Sequence, residues 1–118
     1  MTQTITEGHI TDIPLSEVLA RRARVLQRVA ESGCRGMVFF SAASQTYLTG
    51  TALIATERPI VLILKEDGHT SLLVPRLELE HARDCAKGVD RLEWYPEYPS
   101  LKHPMAYLAD LLSSLDLD

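Results

Sequence analysis

Histidine and cysteine are the residues of this sequence best suited to bind a metal ion or to act in covalent chemistry. The chain contains four histidines that are far apart, His9, His69, His81 and His103, and two isolated cysteines, Cys34 and Cys85. The histidines form no HxxH or HExxH motif and no pair with a nearby cysteine, whereas zinc sites usually contain closely spaced ligands. The sequence therefore predicts surface histidines, a packed Cys34 at a helix end, and no metal or cofactor site.

Serine and threonine hydroxyls become nucleophiles when a base lies beside them. Four hydroxyls lie in or near the segment TYLTGT: Ser41, Ser44, Thr49 and Thr51. No GxSxG, GxGxxG or Walker-type motif accompanies them, and Ser41 and Thr49 fit the capping of a short helix. The apolar runs MVFF, IVLIL and SLLV carry no acidic residue, although a ribonuclease H-type nuclease needs carboxylates on its strands. These 118 residues are expected to fold without catalysing a reaction by themselves.

Apolar periodicity predicts the elements at the start of the chain. PLSEVLARRARVLQRVAESG has helical spacing, with Ser16 as its cap and Gly33 as its left-handed C-terminal residue. GMVFF, residues 36–40, has the continuous hydrophobicity of a strand buried on both faces. Ser41 then caps a helix over residues 42–48 that ends at Gly50. A row of arginines on the first helix, Arg21, Arg24 and Arg28, is interpreted as a solvated face.

The second half of the sequence continues this alternation of strands and helices. Asp67-Gly68 joins two apolar runs, residues 60–64 and 71–74, as a β-hairpin turn does. Pro75 opens a helix over residues 76–87, VDRLEWY reads as a strand with Leu92 and Trp94 on one face, and residues 105–115 form an amphipathic helix. The predicted fold class is α/β, a mixed β-sheet flanked by helices on both faces with ribonuclease H-like layering.

Length and composition limit the kinds of partner. With 118 residues the chain is sized for one domain, expected over residues 15–118 after a flexible N-terminal segment of residues 1–14. The formal net charge of −4 offers no field that would attract nucleic acid or an anionic membrane. The N-terminus has no apolar signal-peptide core, and the isolated cysteines are typical of a reducing compartment. A cytoplasmic protein without nucleic-acid or membrane partners is expected.

Several short motifs, in this order, resemble the N-terminal domain of the creatinase and prolidase group, which includes Xaa-Pro dipeptidases and aminopeptidase P. They are Tyr47-Leu48-Thr49-Gly50, Glu57-Arg58-Pro59 and Val74-Pro75-Arg76-Leu77-Glu78. The resemblance extends over residues 15–115. It implies an α/β domain that precedes a separate metallopeptidase domain, which in this family holds two divalent metal ions, such as Mn or Co, through two Asp, one His and two Glu. None of those ligands has a counterpart here, so the catalytic domain is expected to be absent and the chain truncated.

The resemblance also implies a role for residues 51–58. In the family, the corresponding loop faces the catalytic pocket of the partner subunit in a homodimer. Thr51, Glu57 and Arg58 are therefore candidate substrate-access residues acting in trans, with Tyr47 and Leu48 packing the short helix on the sheet. Arg58 suits a substrate carboxylate, because its planar guanidinium can form a bidentate charge-assisted bond. The alternative for Arg58 is a surface ion pair with Glu57 or another loop acid.

Three functions follow as hypotheses. The first is an accessory domain of a Xaa-Pro peptidase or creatinase-like hydrolase, acting with its own C-terminal catalytic domain in dimerisation and substrate access. The second is a freestanding binding or scaffold module that retains the fold. The third, an independent enzyme, is supported by scattered hydroxyls and histidines alone. The resemblance leaves the substrate open among Xaa-Pro dipeptides, longer peptides with a penultimate proline, and creatine-like molecules.

Overall fold

The computed structural model describes residues 13–52, 58–96 and 102–117. Apart from residues 13 and 14, the predicted flexible segment lies outside the described residues.

The first helix, α1, spans Leu15–Glu31. It begins directly after Pro14, whose carbonyl accepts hydrogen bonds from the N–H groups of Glu17 and Val18 at 3.0 and 3.2 Å. The prediction that Ser16 caps this helix is wrong. Pro14 takes the cap position with an extended backbone, so that Ser16 falls inside the first turn.

The C-terminal end of α1 forms a Schellman motif. Gly33 has φ of 75°, which confirms the predicted left-handed residue. The N–H of Cys34 donates to Val29 O at 3.2 Å, and that of Gly33 donates to Ala30 O at 3.1 Å. Cys34 is exposed, so the prediction of a packed side chain is wrong. Its backbone completes the helix end while its thiol lies at the surface.

The sheet has four strands, in the order in which they occur along the chain: β1 (Gly36–Phe39), β2 (Val61–Lys65), β3 (Thr70–Pro75) and β4 (Arg91–Tyr95). The first two pairs are antiparallel, and β3 pairs with β4 in parallel. This arrangement confirms the predicted mixed sheet. Strand β1 is at an edge of the described sheet, with Met37 exposed in the strand and Phe40 exposed just after it, so the predicted burial on both faces is wrong.

The β2–β3 connection is the predicted hairpin. Gly68 N–H donates to Lys65 O at 2.9 Å, and the Asp67 carboxylate accepts from the N–H of His69 at 3.0 Å. That hydrogen bond lowers the pKa of Asp67. Strands β2 and β3 begin and end within one residue of the predicted bounds. The turn at Asp67-Gly68 determines which residues of the two strands pair, and the turn was visible in the sequence.

In the described chain, two further α-helices connect strands of the sheet. The short helix α2, Ala42–Thr49, is capped by Ser41, whose Oγ accepts from Ser44 N–H at 3.4 Å, and it ends at Gly50 with φ of 73°. Both features confirm the prediction. The helix predicted over residues 76–87 is divided into a 3₁₀ turn, Arg76–Glu78, and α3, Leu79–Cys85.

The last helix, α4, spans Pro104–Ser114. His103 caps it through Nδ1, which accepts the N–H of Met105 at 3.1 Å. Pro104 fits the first helical position because its missing N–H is not needed there. Among the helices that the structure describes, none has both the length and the apolar character needed to cross a bilayer.

Two apolar clusters cover opposite faces of the sheet. On one face the helices α1, α2 and α3 pack over a buried set: Leu48, Ile60, Leu62, Leu64, Leu72, Val74 and Ala82. On the other face α4 packs over a second set: Val61, Ile63, Leu73, Tyr95, Leu108, Leu111 and Leu115. The alternation along β2 sends successive residues to opposite clusters, which explains why the strand is continuously apolar. Helices on both faces are thus confirmed.

Candidate functional site

The predicted access residues lie on the connection between α2 and β2. Thr51 is 8% exposed, and Arg58 is partly exposed just before β2. Glu57 lies outside the described residues. The roles of these three residues in substrate access remain predictions. The structure shows which contacts hold the backbone before and after this segment, at the end of α2 and at the start of β2.

The chain leaving α2 is bound to α3 and to the segment after it. The carbonyl of Thr49 accepts the N–H of Lys87 at 3.2 Å. Thr49 Oγ1 donates to Gln45 O at 2.7 Å and accepts the Thr51 N–H at 3.3 Å. His81 Nε2 lies 3.2 Å from the Ala52 carbonyl, the distance of a hydrogen bond. The backbone from Thr49 to Ala52 is therefore tied to neighbouring elements.

The chain entering β2 is held by a buried amide. Gln45 is 1% exposed on the inner face of α2. Its Nε2 donates to the carbonyls of Phe39 and Ile60 at 2.9 and 2.5 Å. One side chain thus joins the end of β1 to the residue before β2, and it satisfies two carbonyls away from water.

A tyrosine hydroxyl holds the residue next to Arg58. Tyr95, at the end of β4, is 2% exposed, and its hydroxyl donates to the Pro59 carbonyl at 2.7 Å. The Tyr95 ring lies 5.9 Å from that of Tyr107 on α4. Because Arg58 precedes a proline, its backbone favours extended conformations. The backbone at Pro59, which follows Arg58, is consequently restricted by the proline ring and held by the hydrogen bond from Tyr95.

A buried arginine joins α1 to the same region. Arg22 is 3% exposed. Its guanidinium donates to Leu48 O at 2.7 Å, to Gly88 O at 2.6 Å and to Lys87 O. Burial lowers the pKa of Arg22, and the charge of Asp90 partly offsets this effect. The guanidinium's fork geometry suits several carbonyls at once, so Arg22 ties the end of α2 to the segment after α3.

The predicted basic stripe on α1 makes specific contacts with α2. The Arg21 guanidinium lies 4.5 Å from the centre of the Tyr47 ring, and Arg24 donates to the Tyr47 hydroxyl at 3.1 Å. This hydrogen bond raises the pKa of Arg24. Leu48 is buried as predicted, but Tyr47 is 45% exposed and packs against arginines, so its predicted packing on the sheet is wrong. Arg28 is exposed and 3.9 Å from Glu31, as a solvated face predicts.

One histidine and one cysteine lie close together, although no such pair was predicted. His81 and Cys85 are one helical turn apart on α3, with Nδ1 and Sγ 3.7 Å from each other, so the expectation of no His–Cys pair is wrong. His81 and His103 are exposed as predicted, and His69 is half-buried. His9 lies outside the described residues. Within the described ranges, no group of three or more His, Cys, Asp or Glu is placed to hold a metal ion.

Arg22, Gln45 and Tyr95 were not predicted from the sequence as functional residues. A signal for Arg22 was present, because residues 18, 22, 25 and 29 share one helical face and the other three are valines. The alternation along β4 was a signal for Tyr95. If Leu92 and Trp94 lie on one face of the strand, Tyr95 lies on the other, below α4. Gln45 had no comparable signal, because one of its carbonyl partners is at the end of β1 and the other is at the residue before β2.

Comparison with known proteins supports the predicted resemblance. A search of solved structures finds a proline dipeptidase from Streptococcus pneumoniae with 23% identity and a TM-score of 0.66, which covers 80% of this chain and 66% of its own. A dipeptidase from Mycobacterium ulcerans has 23% identity and a TM-score of 0.71, covering 86% of this chain and 27% of its own. The chain thus spans less than two thirds of either protein.

A structure described as the creatinase/prolidase N-terminal domain of an X-Pro dipeptidase from Streptococcus pyogenes also matches. It has 19% identity and a TM-score of 0.66, and the match covers 84% of this chain and 69% of that one. At these identities the likeness shows a shared fold. A search of curated proteins finds no match. The sequence model described as the creatinase/prolidase N-terminal domain matches residues 21–116, most of the chain. The chain therefore belongs to the creatinase/prolidase N-terminal domain family.

Proposed function

We propose that residues 15–118 form the N-terminal domain of a Xaa-Pro dipeptidase or aminopeptidase P-like metallopeptidase, which acts in dimerisation and in substrate access to a separate catalytic domain. The observation that carries the proposal is the family match over residues 21–116. The names of the structural neighbours, proline dipeptidase and X-Pro dipeptidase, support the same reaction class. The two free cysteines fit a reducing compartment such as the cytoplasm.

In this proposal the hydrolytic chemistry belongs to the catalytic domain. Two divalent metal ions such as Mn or Co would be held there, as the resemblance to the family implies. A metal ion can lower the pKa of bound water and so supply hydroxide for peptide hydrolysis. The residues of the present chain would shape the path to that site, with Arg58 facing the substrate carboxylate in the partner subunit's pocket.

The first experiment measures the mass of the native protein by immunoblot of a lysate with an antibody against these residues. A band several times larger than 13.2 kDa is expected, corresponding to a protein with a catalytic domain. The larger protein should then hydrolyse Xaa-Pro dipeptides in the presence of Mn²⁺. A band at 13.2 kDa would contradict the proposal and favour a freestanding binding module.

The role of Arg58 is tested by Arg58→Ala in the protein that contains the catalytic domain. We expect KM for a Xaa-Pro dipeptide to rise about tenfold or more with little change in kcat, because a charge-assisted bond to the carboxylate contributes to substrate binding. Arg28→Ala is the matched control, since Arg28 is an exposed arginine on α1 with a surface ion pair. An unchanged kcat/KM in Arg58→Ala would remove Arg58 from the access role.

A further inference from the structure

We infer that Tyr95 and Gln45 are positioning residues for Arg58, holding the backbone beside it so that its guanidinium meets the substrate carboxylate at a defined place. This inference rests on the proposed function, because it concerns how the Arg58 access role is achieved. Neither side chain is placed to touch the substrate, since both are almost completely buried.

The Tyr95 contact acts on the residue next to Arg58. The hydroxyl donates to the Pro59 carbonyl at 2.7 Å, a normal length for an O–H···O hydrogen bond. The ring itself is packed in the cluster under α4, where it contacts Tyr107. Because the ring is packed and rigid, its hydroxyl holds the Pro59 carbonyl at a fixed place relative to the end of β4.

The Gln45 contact acts one residue further along. Its amide donates to Ile60 O at 2.5 Å and to Phe39 O at 2.9 Å, so the residue before β2 is held against the end of β1. Gln45 approaches from α2, on the opposite face of the sheet from the helix that covers Tyr95. Two successive carbonyls after Arg58 are therefore held from two different layers of the domain.

Pro59 connects the anchored backbone to the direction of the Arg58 side chain. The ring of Pro59 fixes its own φ, and it restricts Arg58 to extended backbone conformations. With the Pro59 and Ile60 carbonyls held, few backbone rotations remain that could change the direction in which the Arg58 side chain leaves the backbone. Accurate placement of a binding group matters because small displacements weaken its contact with the reacting substrate.

The test is a double-mutant cycle of Tyr95→Phe and Arg58→Ala in the protein that contains the catalytic domain. Tyr95→Phe removes one hydroxyl and keeps the ring in the core, so folding should be retained. We expect KM for a Xaa-Pro dipeptide to rise about threefold to tenfold with kcat nearly unchanged, in the range for loss of one hydrogen bond. In the Arg58→Ala background the same change should have little further effect, because the group that Tyr95 positions is gone.

Two further variants separate positioning from general stability. Tyr107→Phe is the matched control, since it removes a hydroxyl from the adjacent ring of the same cluster, and its KM should equal that of the wild type. Gln45→Met retains a long side chain while removing both amide hydrogen bonds, and it should raise KM in the same Arg58-dependent manner. Thermal unfolding of each variant shows whether a change in KM follows a change in stability.

The outcomes distinguish a failure of the inference from a failure of the proposed access role. If Tyr95→Phe raises KM by the same factor with and without Arg58, the effect does not act through Arg58 and the inference is wrong. If Arg58→Ala raises KM but Tyr95→Phe leaves it unchanged, the inference fails while the proposed access role stands. If Arg58→Ala itself has no effect, the access role fails and the inference with it. Coupled, non-additive effects support both.

Discussion

At the scale of single residues, Arg22 differs most from its neighbours in the sequence. Arg21, Arg24 and Arg28 lie on the outer part of α1, whereas Arg22 occupies a position of the apolar face and is buried. A buried charge is costly unless polar partners surround it. The backbone carbonyls at residues 48, 87 and 88 supply those partners. Arg22 therefore adds polar connections between elements that the apolar core also joins.

Replacing Arg22 tests this role directly. Arg22→Ala should lower the free energy of unfolding by about 2 to 4 kcal/mol, because it removes hydrogen bonds to three carbonyls, of which the one to Leu48 is buried. Arg22→Lys should restore part of this loss, since an ammonium cannot reproduce the fork. Urea denaturation measures both. Arg28→Ala is the control and should change the free energy by less than about 0.5 kcal/mol. Equal effects at the two positions would contradict the structural role of Arg22.

At the scale of elements, helix ends decide where the chain turns toward the candidate site. Gly33 and Gly50 both end a helix with positive φ. They differ in surroundings, because a Cβ at Gly50 would lie 3.0 Å from Val18 Cγ2, whereas at Gly33 it would meet nothing within 4 Å. The end of α2 is thus packed closely on α1, and the end of α1 is open.

This difference predicts unequal costs for the same substitution. Gly33→Ala should lose about 1 to 2 kcal/mol of stability from the left-handed backbone alone. Gly50→Ala should lose more, because Val18 must also move. Chemical denaturation of the two variants gives the comparison, with Gly33→Ala serving as the control for backbone strain. A smaller loss for Gly50→Ala would contradict the packing of α2 on α1.

The hairpin predicts a dependence of stability on pH. Folding lowers the pKa of Asp67 below its ordinary 3.8, chiefly through the hydrogen bond from the His69 N–H. The resulting stabilisation is complete above 3.8 and is lost as pH falls through the lower pKa of the folded state. The difference in unfolding free energy between wild type and Asp67→Ala should therefore shrink on acidification.

Denaturant titrations of wild type, Asp67→Ala and Asp67→Asn at a series of pH values measure this effect. Asn retains an acceptor oxygen for the His69 N–H but does not titrate, so the difference between the Asn and Ala variants should be independent of pH. A wild type to Ala difference that stays constant down to acidic pH would show that the Asp67 charge is unimportant.

At the scale of the whole molecule, two cores share one sheet. Leu62 and Ile63 are neighbours on β2, yet they belong to clusters on opposite faces. The candidate site depends on both layers, because Gln45 comes from one face and Tyr95 from the other. Loosening either layer should therefore disturb the backbone just after Arg58, at the Ile60 carbonyl for the α2 face and at the Pro59 carbonyl for the α4 face.

We expect the described layers to unfold in one transition. Leu48→Ala on the α2 face and Leu111→Ala on the α4 face should each cost about 2 to 5 kcal/mol, because each leaves a cavity in a buried cluster. Far-UV circular dichroism and Trp94 fluorescence should give coincident unfolding curves for both variants. Separate transitions in Leu111→Ala would mean that α4 forms an independent unit.

The sequence by itself determined the elements and the fold class. Hairpin chemistry at Asp67-Gly68, continuous apolar runs and helix-ending glycines are local signals, and they placed the sheet and its helices nearly correctly. The short motifs around Tyr47 and Arg58 also led to the family. Local signals could not decide that β1 lies at an edge, since burial on both faces depends on which strand becomes its neighbour.

The tertiary structure alone decided how the two residues that follow Arg58 are held. Gln45, Tyr95 and Pro59 are far apart in the sequence, and their hydrogen bonds exist because the sheet order brings α2, β2 and β4 together. Periodicity assigns a residue to a face, but it does not identify the carbonyl that the residue meets across the fold. That information is carried by strand register and helix packing, which are properties of the folded chain.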